Sequence, residues 1–185
     1  LNKAQCRQEL NLPPSALIIG SFQRDTEGKD KRSPKLEKGP DQFCDIIEEM
    51  HRSTPNLHVL LGGWRRQYIT TRLDQSNIPY TQLTRCSFEI LNKMYNAVDV
   101  YITASRHEGG PQAIPEAIAT RTPIISTNVG CAPLFLPEDY IFDHPYYHNS
   151  LQHALKGAAP SLSIEPYKIP QGFDSFINMF KSLIQ

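Results

Sequence analysis

Apolar positions along this chain fall into short β-branched or aliphatic runs, separated by segments in which apolar residues recur every three to four positions. That alternation is the pattern of a parallel sheet covered by helices on both faces. Runs at 16–22, 57–61, 79–83, 100–103, 123–126 and 140–142 read as strands. Helical spacing marks 3–10, 39–50, 65–73, 87–98, 113–119, 150–156 and a closing amphipathic stretch at 173–184. In the helix at 39–50, Phe43, Ile46, Ile47 and Met50 share one face, and Pro40 sits where a first-turn proline is tolerated. Ser87 is placed to cap the helix at 87–98, with Glu89 in its first turn and Phe88, Leu91, Met94 and Tyr95 as its apolar stripe. Two stretches break the scheme. Residues 24–38 hold Lys or Arg six times among Asp, Glu, Gly and Pro, which predicts a mobile surface loop. Residues 158–171 are rich in Pro and Ser and predict a connector.

The expected class is therefore α/β, a single Rossmann-like domain over 1–185 with a parallel sheet of about six strands. Residues 1–14 form a lead-in helix and linker, and 158–185 a connector and C-terminal helix. The chain opens at Leu1 directly on a helical stretch, as if cut from something larger. Charge narrows the partners: 19 Lys and Arg balance 19 Asp and Glu, which argues against a diffuse basic field for nucleic acid or anionic lipid. A compact anion site remains open. The longest apolar runs are a few residues, too short to span a bilayer. Cys6, Cys44, Cys86 and Cys131 lack the short paired spacing of a structural zinc site, and His51, His58, His144, His148 and His153 show no metal spacing either.

The most informative stretch is 105–119, Ser105-Arg106-His107-Glu108-Gly109-Gly110-Pro111-Gln112 leading into a helix that carries Glu116. Two glycines at the carboxyl end of a buried strand let a ligand approach the backbone closely. The helix start beyond them offers unpaired N–H groups to phosphate. Glu108 and Glu116 bracket that position, and carboxylates accept hydrogen bonds from hydroxyls. Read from the residues alone, this is a binder of a ligand carrying both phosphates and sugars.

At these residues the chain resembles the retaining glycosyltransferases of the double-Rossmann (GT-B) type, glycosyltransferase family 4, also called group 1. Their signature is two glutamates with seven residues between, as at Glu108 and Glu116. Ile19-Gly20-Ser21-Phe22, Lys38-Gly39-Pro40-Asp41, Leu60-Leu61-Gly62-Gly63, Tyr95 to Val100 and Thr122 to Gly130 resemble further family elements in the same order. The resemblance implies the C-terminal, donor-binding half of such an enzyme, with the N-terminal acceptor domain absent from this chain. It implies no cofactor and no metal, and a nucleoside-diphosphate sugar such as a UDP- or GDP-sugar as donor. Glu116 would bond the donor ribose and Glu108 the hydroxyls of the transferred sugar. Backbone N–H groups of Gly109, Gly110 and Gln112 would hold the distal phosphate, and Arg24 and Lys38 would neutralise the leaving diphosphate. Gly20 falls among the nucleotide-contacting positions, and Thr84 and Arg85 match the stretch that contacts the base. The implied location is cytoplasmic, or at the membrane surface through the missing half.

The chain departs from the family pattern at three places. Pro115 lies inside the helix after the glycines and predicts a late start or a kink. Arg121 takes a helix-ending position usually held by Gly, where a left-handed backbone would cost on the order of 1 kcal/mol. The loop at 25–37 is longer than the common version. Two other readings stand beside the transferase: a sugar-nucleotide epimerase of the same architecture, and a nucleotide-binding or interaction module without turnover.

Overall fold

The structure, a computed structural model, describes residues 1–156 and 171–183. All six apolar runs become strands: β1 (Leu17–Ser21), β2 (Leu57–Gly62), β3 (Tyr80–Leu83), β4 (Val100–Thr103), β5 (Ile124–Thr127) and β6 (Ile141–Phe142). They form one sheet in the order β3-β2-β1-β4-β5-β6, and every neighbouring pair is parallel. The helices are α1 (Lys3–Glu9), α2 (Pro40–Ser53), α3 (Gln67–Gln75), α4 (Phe88–Ala97), α5 (Ala113–Ala119), α6 (Ala132–Phe135), α7 (His148–Leu155) and α8 (Gln171–Leu183).

Successive side chains of a strand point to opposite faces, and the central strands are apolar on both. Ile19, Val59 and Leu61 pack with Phe43, Ile46, Ile47 and Met50 of α2 and with Ile69 and Leu73 of α3. Ile18 and Leu60 turn the other way, onto Cys6, Leu12, Met94 and Ala97. The result is an α/β Rossmann-like fold with helices on both faces. From β1 the chain builds outward through β2 and β3, then returns to place β4 on the other side of β1. At such a reversal the connections leave in opposite directions and open a crevice at the strands' carboxyl ends.

Several sequence expectations change in detail. Residues 24–38 are not a free surface loop: Asp25 and Thr26 are buried, Thr26 bridges Pro34, and Leu36–Lys38 forms a 3-10 turn. Only 27–33 are exposed throughout. Phe88 is 90% exposed rather than part of the α4 stripe, because it stands in the first position after the Ser87 cap and faces outward there. The cap itself is present, with the Ser87 hydroxyl accepting from the Ile90 N–H at 3.3 Å. Tyr140 belongs to a 3-10 turn, Glu138–Tyr140, and not to β6. The short helix α6, four residues with a proline near its start, left no periodic signal in the sequence. Pro115 causes no late start: it is the third residue of α5, in the first turn, where its missing N–H has no intrahelical partner to lose. Arg121 does adopt the left-handed conformation, at φ 57°. The connector at 158–171 lies outside the described residues except for Gln171, which opens α8.

Candidate functional site

The crevice between β1 and β4 brings Lys38 beside Glu108 and Gly109. Leaving β1, the chain runs through Phe22, Gln23 and Arg24; leaving β4, it runs through Ala104 and Ser105 to Glu108. The two exits are tied together by polar contacts. Gln23 Nε2 donates to the Lys38 carbonyl at 3.1 Å, and the Arg106 and His107 N–H groups donate to the Glu37 carbonyl at 2.9 and 3.1 Å. Gly39, at φ 59°, lies so close to β4's end that an added Cβ would stand 1.7 Å from the Ala104 carbonyl oxygen.

Across this junction Lys38 Nζ meets Glu108 Oε2 at 2.6 Å, while the Ser105 hydroxyl donates to Glu108 Oε1 at 3.0 Å. Ser105 is in turn fixed by Thr127 Oγ1, which donates to its carbonyl at 2.6 Å. Glu108 is thereby oriented on both oxygens, and a carboxylate keeps lone pairs for further donors. Lys38, expected with Arg24 at the leaving diphosphate, forms an ion pair with Glu108, and Arg24 makes no ion pair among the described residues. Beyond Glu108 the backbone is bare. Gly109 and Gly110 are exposed, and nothing lies within 4 Å of a Cβ built on either. Gly130, at φ 50°, closes the wall behind them, since a Cβ there would come within 2.7 Å of the Glu108 and Gly109 carbonyl oxygens. Lys38, His107, Glu108, Gly109 and Asn128 line a cleft of about 540 Å³.

Glu116, half-buried on α5, accepts a hydrogen bond from the Tyr95 hydroxyl at 2.8 Å. Thr84 and Arg85 line a second, wider depression of about 820 Å³ with Phe22, Gly63 and Trp64. Trp64 is 60% exposed there, with the Arg65 guanidinium 4.8 Å above its ring. Gly20 is not at an open face. It is buried inside β1, where Val98, Phe22 and Tyr101 would meet a Cβ at 3.0 to 3.3 Å, so it serves packing rather than ligand approach. Among the described residues no group of three or more His, Cys, Asp or Glu side chains converges to hold a metal ion.

Sequence reasoning gave no role to the buried pair beneath the crevice. Arg66 is fully buried, its Nε 3.4 Å from Asp25 Oδ2 and its Nη2 donating to Ser21 Oγ at 3.0 Å. Burial pushes the Asp25 carboxyl up to about 6, against the Arg66 guanidinium and the Ile69 and Tyr68 N–H groups, which favour its charged form. Burial likewise lowers Arg66 while Asp25 supports its charge. The only sequence signal was a charged residue soon after each of two strands, which means nothing until β1 and β2 are known to be neighbours.

A parallel sheet whose order reverses between β1 and β4, with helices on both faces, defines a Rossmann-type α/β domain. The chain belongs to the group 1 glycosyl transferases, whose family model matches residues 32–142, more than half of its length. No curated protein matches it at the level of sequence. Among solved structures it is similar to a glycosyltransferase from Rickettsia africae, with a TM-score of 0.74 at 15% identity, covering 98% of this chain and 51% of that one. It is similar to HepE of Anabaena in complex with UDP-glucose, with a TM-score of 0.71 at 14% identity over 97% of this chain and 52% of that one. The C-terminal domain of the group 1 protein LpcC from Francisella tularensis gives 0.62 at 23% identity, covering 84% and 80% of the two chains. These likenesses show the fold, that of the C-terminal GT-B domain. The chain spans only 35% to 52% of the length of the longer neighbours. No helix among the described residues is long and apolar enough to cross a membrane.

Proposed function

We propose that this chain is the donor-binding half of a retaining glycosyltransferase that takes its sugar from a nucleoside diphosphate without a metal ion. The carrying observation is the Lys38–Glu108 ion pair across the β1/β4 crevice, set against the open backbone of Gly109 and Gly110. Diphosphate departure needs stabilisation of developing negative charge, and fixed cations with backbone N–H groups supply it where water is excluded. In this reading Arg24 and Lys38 face the diphosphate, and the N–H groups of Gly109, Gly110 and Gln112 take its distal phosphate. Lys38, held by Glu108, can bridge sugar and phosphate: the same carboxylate that orients the cation accepts from the sugar hydroxyls. Glu116 takes the ribose, and the Thr84–Arg85 depression beside Trp64 takes the base. HepE bound to UDP-glucose supports a nucleotide-sugar donor.

The test is a thermal-shift panel of UDP, GDP, ADP and their sugars, with and without a chelator, since a ligand that binds only the folded state raises its stability. One nucleoside diphosphate is expected to stabilise the protein with chelator present, and Glu116→Ala to remove most of that shift. Because this chain spans only 35% to 52% of the longer neighbours, the second wall of the cleft is assigned to another domain, and this chain alone is expected not to transfer sugar. Efficient transfer by it would refute that part.

A further inference from the structure

Glu116 reaches its position on a short helix, with three side-chain torsions to settle, yet one of its oxygens is already engaged. Tyr95 donates its hydroxyl to Glu116 Oε2 at 2.8 Å. The donor is itself immobilised. Tyr95 is 2% exposed, its ring edge-on to Phe22 at 4.9 Å and tilted against Tyr101 at 5.4 Å. Its own carbonyl accepts from Thr122 Oγ1 at 2.8 Å, which ties α4 to the segment just past α5. Burial, reinforced by Tyr101 and the Glu116 carboxylate, pushes the phenol far above its ordinary titration range, so it remains a donor. No hydrogen bond to Oε1 of Glu116 occurs among the described residues.

We infer that Tyr95 is a positioning residue for nucleotide recognition: by occupying Oε2 it sets the rotation of the Glu116 carboxylate and presents Oε1 to a ribose hydroxyl. The Tyr101 hydroxyl is the other polar side-chain group that the Tyr95 phenol meets, whereas Glu116 takes no side-chain donor besides Tyr95 among the described hydrogen bonds. A carboxylate ordered before the ligand arrives does not charge that ordering against binding. The phenol therefore acts on one part of the ligand only. This inference rests on the ribose assignment of Glu116, and its experiment is chosen so that the two can fail separately.

The measurement is the affinity ratio of a ribonucleoside diphosphate to its 2′-deoxy counterpart, read by calorimetry with whichever of UDP, GDP or ADP stabilises the protein most. Tyr95→Phe is expected to shrink that ratio, with ribonucleotide affinity falling on the order of three- to tenfold and 2′-deoxynucleotide affinity within about twofold. In a Glu116→Ala background the same change is expected to do nothing further. Tyr95→Met, of similar volume, repeats the reading on an independent variant, and each melting curve shows that the sample is folded. A ratio unmoved by Tyr95→Phe but collapsed by Glu116→Ala overturns the inference and leaves the ribose assignment standing. Equal weakening of both nucleotides by Tyr95→Phe makes the phenol purely structural and overturns it as well. A ratio unmoved by Glu116→Ala, or no stabilisation of the wild-type protein by any of the nucleotides, removes the ribose assignment and the inference with it.

Discussion

The chain leaves β1 and β4 side by side, and the two loops it then forms are held in opposite ways. After β1 the backbone is locked: Asp25 N–H and Thr26 N–H both donate to the Arg65 carbonyl at 3.1 and 3.3 Å, and Asp25 pairs with the fully buried Arg66. After β4 the loop is held at Ser105 and Glu108 and then runs bare through Gly109 and Gly110, with no neighbour within reach of a Cβ. Glycine itself appears in both loops for different reasons. Gly39 is demanded by a backbone oxygen of its own protein, whereas Gly109 and Gly110 are demanded by nothing in the folded chain. A residue type chosen without an internal cause points to an external one, which in the proposed reading is the ligand. In that reading the locked loop is the fixed wall and the bare loop the surface laid against the ligand.

The largest expected effect comes from breaking the lock. Arg66→Met leaves Asp25 buried with no countercharge, a loss of about 3–5 kcal/mol. Pairing it with Asp25→Asn should recover much of that loss, because the uncompensated charge, not the lost attraction, is the main cost. Denaturant unfolding of the two singles and the double checks this, and a double no more stable than Arg66→Met would show that the pair's geometry matters beyond its charge. Next comes the glycine contrast. Gly39→Ala combines a left-handed backbone with a clash against Ala104, for about 2–4 kcal/mol. Gly109→Ala should change stability by no more than about 0.5 kcal/mol while lowering nucleotide affinity. Equal destabilisation by both would erase the distinction between the loops.

A smaller effect is set by pH. Asp25 titrates near 6 in the fold, above the ordinary 3.8, so between those values the folded protein holds a proton that the unfolded chain releases. Its contribution favours folding most below pH 4 and is lost as pH rises through 6. The wild-type protein should therefore lose stability relative to Asp25→Asn, on the order of 2 kcal/mol, between pH 4 and 7. Parallel unfolding curves at pH 4.5, 5.5 and 7 read the difference, and a constant gap would show that Asp25 stays charged throughout.

What the sequence disclosed divides along the same line as the loops. The strands were legible because buried parallel strands are continuous apolar runs, and Ser87 because capping is local chemistry. The bare loop was legible too: Glu108, Gly109, Gly110 and Glu116 lie within nine consecutive residues, so their relation survives without a fold. The locked loop was not. Asp25 and Arg66 are 41 residues apart, Lys38 and Glu108 are 70 apart, and only the order β2-β1-β4 brings either pair together. A run of charges in 24–38 reads as solvated loop until the strand neighbours are known. Phe88 shows the reverse error, since periodicity assigned it to a face that the first helical turn does not present.

A smaller gain, rather than a loss, is expected at the other end of the helix that opens from the bare loop. Arg121 follows α5 at φ 57°, and the Thr122 N–H reaches the Ala117 carbonyl at 2.8 Å while its own N–H reaches Ile118 at 3.0 Å. That is the paired closure of a Schellman motif, whose left-handed position is usually glycine. Here the strain is held in place by Thr122, whose hydroxyl donates to the Tyr95 carbonyl at 2.8 Å. Arg121 is exposed, so its side chain contributes little packing to lose. Arg121→Gly should relieve the Cβ clash and raise stability by about 0.5–1 kcal/mol, partly offset by the greater freedom of glycine in the unfolded chain. Arg121→Ala retains the Cβ and should give no such gain, so the difference between the two variants isolates backbone strain from side-chain loss. If glycine were no better than alanine, the conformation at 121 would carry no strain, and the tether through Thr122 and Tyr95 would have nothing to hold.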